Sequence, residues 1–285
     1  MPELPEVETV KNTLKRLVLN KRIVNVNIMY PNMIEYPDIE TFKNNLINQT
    51  INDIKRRGKW LMFELNDYYL LSHLRMEGKY IIRNLGDEYN KHEHVEFVFS
   101  DNTTLRYKDT RKFGRMYLYK KDEVLNNKPI NELGLEPWDK NLNINYLKDK
   151  MKNKKLPIKT LLLDQSIIVG LGNIYVDEVL FLSHINPNKK YSELKDKDLE
   201  HIIKYTKEVL ERAIKLGGTT IRSYESSEGV HGLFQNELLV HGKEICPNCN
   251  KKIEKIRIGG RGTYYCPKCQ RWLYENIICL PWKYL

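Results

Sequence analysis

CPNCNKKIEKIRIGGRGTYYCPKC, residues 246–269, carries two Cys-Pro-x-Cys turns separated by 16 residues. Each turn presents two thiolates to one side, and two such turns joined by a β-hairpin bring four sulfurs around one Zn2+ in a tetrahedron. The spacing predicts one structural zinc bound by Cys246, Cys249, Cys266 and Cys269. Four sulfur ligands leave no open coordination position, so the metal itself does no chemistry. Its role is to hold a hairpin that about 40 residues cannot stabilise through an apolar core alone. Within the hairpin, Gly259, Gly260 and Gly262 surround Arg261. Glycines let a backbone come close to a large partner, and the arginine then faces an anion or a groove. The fifth cysteine, Cys279, reads as a small buried residue.

The surroundings of that module point to an anionic partner. From Val240 to Leu285 there are nine Lys or Arg against three Asp or Glu, and the whole chain carries a net +10 with pI near 9.1. A basic surface of this kind suits nucleic acid first. The 285 residues, 41% of them apolar, are enough for two domains with cores. No run of about 18 apolar residues exists, so no membrane partner is expected. The N-terminus has acids where a secretion signal has basic and then apolar residues, so the expected location is cytosolic. In that compartment, paired cysteines argue for metal rather than disulfides.

Upstream, the periodicity changes twice. Val7, Val10, Leu14 and Leu17 have helical spacing, which predicts an amphipathic helix over roughly Glu3–Leu19. IVNVNIM (Ile23–Met29) then alternates, and WLMFEL, YYLLSHL, KYIIR, HVEFVF and RMYLYK follow as short apolar or alternating runs. They read as strands of a sandwich or barrel, interrupted by a short helix near Ile39–Ile47. Beyond NELGLEPW (Asn131–Trp138), helical runs take over from Ile144 to about Leu216, and the GLG of SIIVGLGN (Ser166–Asn173) breaks two of them at close range. The expected class is α+β: a β-rich N-terminal domain, a helical C-terminal domain and the metal module.

The opening MPELPEVETV is only partly explained by helix-start chemistry. Pro5 suits a first helical turn, and Glu6 and Glu8 suit its positive end. Pro2-Glu3 has a different use. Methionine is removed before small residues, which would leave Pro2 with a free secondary amine. An α-amine ionises near pH 8, so a useful fraction is a neutral nucleophile at pH 7. Amines attack sugar carbons that can open to iminium species, and Glu3 beside the nitrogen can move protons.

MPELPEVETV, RGKWL around Lys59, HLRMEG around Met76, DTRKFG (Asp109–Gly114), VGLGNIYVDE, the glycine-arginine hairpin and the cysteine pairs occur in this order. Together they closely resemble the formamidopyrimidine-DNA glycosylase family, bacterial enzymes that remove oxidised purines such as 8-oxoguanine. The resemblance covers essentially the whole chain. The sister family, endonuclease VIII, begins with a PEGPE-type run and prefers oxidised pyrimidines; this chain has Leu4 where that family has glycine. The resemblance implies a catalytic β-sandwich over 1–130, a linker over 131–139, a helix-two-turn-helix domain with a lesion-capping loop over 140–240, and a zinc-finger module over 241–285.

It also implies roles. Pro2 attacks C1′ of the damaged nucleotide, Glu3 protonates the sugar-ring oxygen, and Lys59 binds phosphate and aids catalysis. β- and δ-elimination then cut the strand, as a step of base excision repair. A base inside a duplex must be flipped out before it can react. Met76 and Phe113 match the residues that wedge into the gap, and Arg111 the one that hydrogen-bonds the orphan cytosine. The usual DPRRFG reads DTRKFG here, so Thr110 and Lys112 depart from the pattern. Asn173, His73 and Arg261 match phosphate contacts, and Lys159 matches a lysine near the flipped base. Glu6 matches an acid near the site, or else serves only as charge at a helix start. Glu77 and Ile221, Arg222, Ser223 and Tyr224 of the 219–232 loop are candidates around the extruded base. The implied partner is damaged double-stranded DNA, bound by a monomer in the bacterial cytosol and nucleoid. The competing readings are an endonuclease VIII-like glycosylase for oxidised pyrimidines and a non-catalytic zinc-finger DNA-binding protein.

Overall fold

Strand pairing organises the N-terminal part of the chain, and a buried ten-residue helix the C-terminal part. A computed structural model describes residues 1–219 and 232–271. The chain divides into two compact units, Met1–Glu132 with Leu216–Gly232 and Leu133–Lys215 with Leu233–Leu285.

The first unit begins with α1 (Leu4–Val18), which has Pro5 in its first turn and buries Val7, Val10, Leu14 and Val18 along one stripe. There follow β1 (Ile23–Ile28), β2 (Ile34–Tyr36), α2 (Ile39–Leu46), β3 (Asp53–Arg57), β4 (Trp60–Glu64), β5 (Tyr68–His73), β6 (Lys79–Asn84), β7 (Glu93–Phe99), β8 (Thr103–Lys108) and β9 (Arg115–Lys120). Asp38 caps α2 by accepting from the Thr41 amide at 3.0 Å. The strands form two sheets, ordered β1-β7-β8-β6 and β2-β9-β5-β4-β3. One apolar cluster joins them, including Val26, Phe97 and Leu105 from the first sheet and Leu61, Phe63, Leu70 and Leu118 from the second, together with the α1 stripe. This is the expected sandwich.

Inside the first sheet lies a charge cluster that alternation does not forecast. Arg106 on β8 donates to Glu96 Oε1 at 2.8 Å and to Glu93 Oε2 at 3.0 Å, with all three side chains almost fully buried. It also donates to the carbonyls of Asp87 and Glu88 and lies 4.2 Å from the Tyr89 ring centre. Such a network tolerates no missing member, because a stripped partner stays buried and uncompensated. Arg106→Ala will cost about 3–5 kcal/mol of unfolding free energy, read by urea denaturation.

The second unit contains α3 (Ile144–Met151), α4 (Ile158–Leu163), α5 (Asn173–Leu182), α6 (Asp196–Lys215) and the hairpin strands β10 (Glu254–Ile258) and β11 (Arg261–Tyr265). α5 is buried from Tyr175 to Phe181, acids included. Glu178 accepts the amides of Leu239, Val240 and His241 at 2.8, 3.0 and 2.8 Å. Burial pushes its carboxyl upward against the pull of those three N–H groups. This carboxylate latches the segment entering the cysteine module onto α5. Among the described residues, no helix is long and apolar enough to cross a membrane.

Candidate active site and nucleic-acid interface

In the first unit the N-terminus is packed rather than frayed. Pro2, Glu3 and Glu6 are buried and Met1 is exposed. Glu6 Oε2 accepts the Glu3 amide at 2.9 Å, half of a capping box that fixes where α1 starts. Its other oxygen accepts from the Thr219 amide at 2.8 Å and from the Thr219 hydroxyl at 3.1 Å. Glu6 is therefore more than a charge at a helix start, since it ties the first residues to the chain at 219. With Met1 in place, the Pro2 nitrogen is an amide.

Lys59 lies in the two-residue turn Gly58-Lys59 between β3 and β4. Gly58 takes φ 57°, a left-handed conformation that suits the first position of such a turn. The neighbouring bases of the basic run have local work. Lys55 pairs with Glu64 at 2.5 Å, and Arg56 pairs with Glu8 on α1 at 2.9 Å while donating to the Gly58 carbonyl. Lys59 itself is buried.

His73 ends β5, its ring edge-on to Trp60 at 4.7 Å. Its Nδ1 accepts the Arg75 amide at 2.9 Å, so the neutral ring carries its proton on Nε2. Burial first, and then the charges of Arg75 and Lys59, hold its pKa well below 6.5. The unfolded chain then binds more protons than the folded one below about pH 6.5. The stability His73 contributes is complete above that pH and is lost as pH falls toward the lower folded value. Denaturation at pH 7.5 and 5.5 will show the loss, up to about 1.4 kcal/mol per pH unit for one group. His73→Gln will flatten the profile.

Met76 lies in the tight turn after β5, and Arg111 and Phe113 lie in the loop between β8 and β9. Arg111 and Phe113 are exposed, with the guanidinium 4.8 Å from the ring centre. The second loop is built on Asp109. Its buried carboxylate accepts the amides of Arg111, Phe113 and Gly114 at 3.0, 2.8 and 2.8 Å. Glu77 is exposed beside Met76.

In the second unit, Asn173 opens α5 and Arg261 opens β11 at the hairpin tip, where its side chain is exposed. Asn173 Nδ2 donates to the Gly262 carbonyl at 2.9 Å, joining the helix end to the hairpin. Lys159 departs from the expectation of a contact near the extruded base. Its side chain is fully buried, ion-paired with Asp177 at 2.7 Å, and it donates to the same Gly262 carbonyl at 3.1 Å. Asp177 also accepts the Tyr264 amide at 3.1 Å and meets His241 Nδ1 at 2.8 Å. A buried ammonium needs such a partner, so Lys159 acts on the hairpin rather than at its surface. The four cysteine sulfurs lie within 4.8 Å of one another, with Cys246–Cys269 at 3.7 Å and Cys249–Cys266 at 3.5 Å. Zinc–sulfur bonds of about 2.3 Å in a tetrahedron separate sulfurs by about 3.8 Å, so the donor set fits zinc.

Residues 1–116 match the model of the formamidopyrimidine-DNA glycosylase N-terminal domain, 133–225 that of its H2TH domain, and 243–271 that of the zinc finger found in FPG and IleRS. The chain belongs to the formamidopyrimidine-DNA glycosylase family. The formamidopyrimidine-DNA glycosylase of Oceanobacillus iheyensis is 50% identical over 273 residues, 95% of this chain and 98% of that one. The Bacillus subtilis protein is 48% identical over the same length, covering 95% and 99%. A crystal structure of a Lactococcus lactis FPG mutant in complex with a Fapy-dG containing DNA superposes with TM-score 0.88 at 41% identity, covering 95% of this chain and 100% of that one. Another, of Lactococcus lactis Fpg with an abasic site containing DNA, gives 0.87 at 41%, covering 94% and 99%. The chain is thus a DNA-repair glycosylase with a structural zinc site of four cysteines.

Several residues of this glycosylase that organise the site were not singled out from the sequence. Asp109 had a signal, since an aspartate followed two to five residues on by a loop and a glycine is a common turn organiser. Asp177 and Glu178 had one too: adjacent acids inside the apolar run NIYVDEVLFL must find partners. His241 had none. Cys279 and Ile221, Arg222, Ser223 and Tyr224 lie outside the described residues.

Proposed function

We propose that the chain is a bifunctional DNA glycosylase and AP lyase that excises oxidised purines, 8-oxoguanine and formamidopyrimidines, from duplex DNA. The observation that carries this reading is the N-terminus itself: Pro2 and Glu3 buried at the start of α1, with Glu6 fixing the Glu3 amide. Removal of Met1 turns the Pro2 nitrogen into an amine that is partly neutral at pH 7. That nitrogen attacks C1′ of the extruded nucleotide while Glu3 protonates the ring oxygen, and the base leaves. The resulting iminium acidifies C2′, and successive β- and δ-elimination cut the strand on both sides. Lys59 and the Nε2–H of His73 bind phosphate, as do Asn173 and Arg261. Met76 and Phe113 fill the vacated stack and Arg111 pairs with the orphan base. The zinc supplies only the fixed geometry of the hairpin. The protein works as a monomer in the cytosol.

The Lactococcus lactis complexes, with Fapy-dG containing DNA and with an abasic site containing DNA, support the substrate class. The test is borohydride trapping on duplexes carrying 8-oxoguanine opposite cytosine, with peptide mapping of the adduct and a parallel 5-hydroxyuracil duplex. A reduced cross-link at Pro2, with 8-oxoguanine excised faster, is expected. Faster excision of the pyrimidine would assign the chain to endonuclease VIII-like chemistry. Salt-sensitive binding without any adduct or scission would make it a non-catalytic binder.

A further inference from the structure

The two loops that carry Met76 and Phe113 share a construction. In each, a non-glycine residue in the left-handed region immediately precedes the apolar residue: Arg75 at φ 53° before Met76, and Lys112 at φ 57° before Phe113. Left-handed non-glycine residues cost on the order of 1 kcal/mol each and persist only where their surroundings hold them. In each, a buried glycine closes the loop, Gly78 in one and Gly114 in the other.

Both glycines close against one atom. A Cβ placed on Gly78 would lie 2.1 Å from the hydroxyl oxygen of Tyr107, and one placed on Gly114 would lie 2.0 Å from the same oxygen. No side chain fits at those distances, so both backbones close against the end of one phenol. Tyr107 has no freedom to yield. Its ring is fully buried in the sandwich core on β8, edge-on to Tyr80 at 5.2 Å, and Tyr80 in turn meets Phe63 at 5.6 Å and donates to Ser72 at 2.7 Å. The Gly78 loop is further tied by its amide to the Leu74 carbonyl at 2.9 Å, and the Gly114 loop by Asp109. Burial, with the Asp109 charge second, holds the Tyr107 phenol well above its ordinary pKa, so it stays protonated.

We infer that Tyr107 is a positioning residue for base extrusion: its hydroxyl is the common stop that sets the Met76 loop and the Arg111–Phe113 loop at a fixed spacing, so that they enter the duplex as one wedge. This rests on the wedge reading given above. The rigid core below the ring makes the stop a datum for both loops, and a wedge that must part stacked bases works only if its two points keep their separation.

Tyr107→Phe removes the stop together with the long 3.5 Å hydrogen bond from the hydroxyl to the His73 carbonyl, and leaves the buried ring in place. Single-turnover excision of 8-oxoguanine from duplex is expected to slow on the order of tenfold to a hundredfold, with a smaller stopped-flow signal from 2-aminopurine placed beside the lesion. Scission of a single-stranded abasic oligonucleotide, which needs no extrusion, is expected to stay within about twofold of the parent. Gly114→Ala, which pushes the second loop off the phenol, is expected to give the same split. A Tyr107→Phe protein that excises from duplex at the parental rate overturns the inference. So does one that loses duplex and single-strand activity equally, because the residue then supports the fold or the chemistry in general. Failure of the underlying reading looks different: the parent protein itself forms no borohydride adduct on either substrate.

Discussion

A chain carrying one extra residue ahead of Pro2 will form no borohydride-trapped adduct with abasic or 8-oxoguanine duplex, while still binding the duplex. The expectation follows from bond character. In a peptide link the Pro2 nitrogen shares its lone pair with the preceding carbonyl and is neither basic nor nucleophilic. As a free terminus it ionises near pH 8, two units or so below a lysine, and so presents a neutral amine under working conditions. The processed protein must therefore show a mass lacking methionine and must react, whereas the extended one must not. Glu3→Gln on the processed background separates the two halves of the reaction. Excision of the base will fall by about 10²–10⁴-fold, the usual range for losing a placed proton donor, while trapping on a preformed abasic site persists. An adduct from the extended chain, or one mapped to an interior lysine such as Lys59, would show that the nucleophile has been misassigned.

Removing zinc will have the second-largest effect. The small core around the cysteines consists of Phe181, Leu239, Val240, Ile253 and the thiols Cys246, Cys266 and Cys269 themselves. Three of those seven residues are thus metal ligands, and the hairpin strands β10 and β11 are only five residues each. An isolated two-stranded ribbon of that length is at best marginal in water, and coupling to metal binding is what folds modules of this kind. Chelation, or Cys249→Ser, will release one zinc per chain and lower duplex affinity by on the order of a hundredfold. The dependence of log affinity on log salt will flatten by about 1 for the lost Arg261 contact alone. Retention of full affinity after complete zinc loss would show that the hairpin does not contribute to binding.

Much of this architecture was legible because it is written in local periodicity. The run INYLKDKM predicts a helix and forms α3, and the alternating and apolar runs all become strands. The cysteine spacing likewise needs no tertiary information. The pairing order does. β2 joins β9 in parallel across about 80 residues of chain, and β1 sits beside β7 rather than β2, choices set by long-range packing that no window of sequence contains. The same limit applies at the site. Lys159 matches a lysine near the flipped base, and only the fold shows its partner Asp177 on a different helix. Nothing in the run HVEFVF shows that Glu96 is buried against Arg106, which lies opposite it on β8. Tyr107 reads as an ordinary core aromatic, because its importance depends on two glycines that approach it from separate loops.

The Gly262 carbonyl, which receives both Asn173 and Lys159, makes the helix end and the hairpin tip a caliper with locked jaws. With the latch of Glu178 behind it, opening the tool to suit its workpiece would break several buried hydrogen bonds at once. Any misfit is then absorbed by the polynucleotide, whose bending costs on the order of 1–6 kcal/mol depending on sequence. Lesions flanked by pliable pyrimidine–purine steps should accordingly be gripped more tightly than the same lesions within stiff A-tracts, with no base read at the flanks.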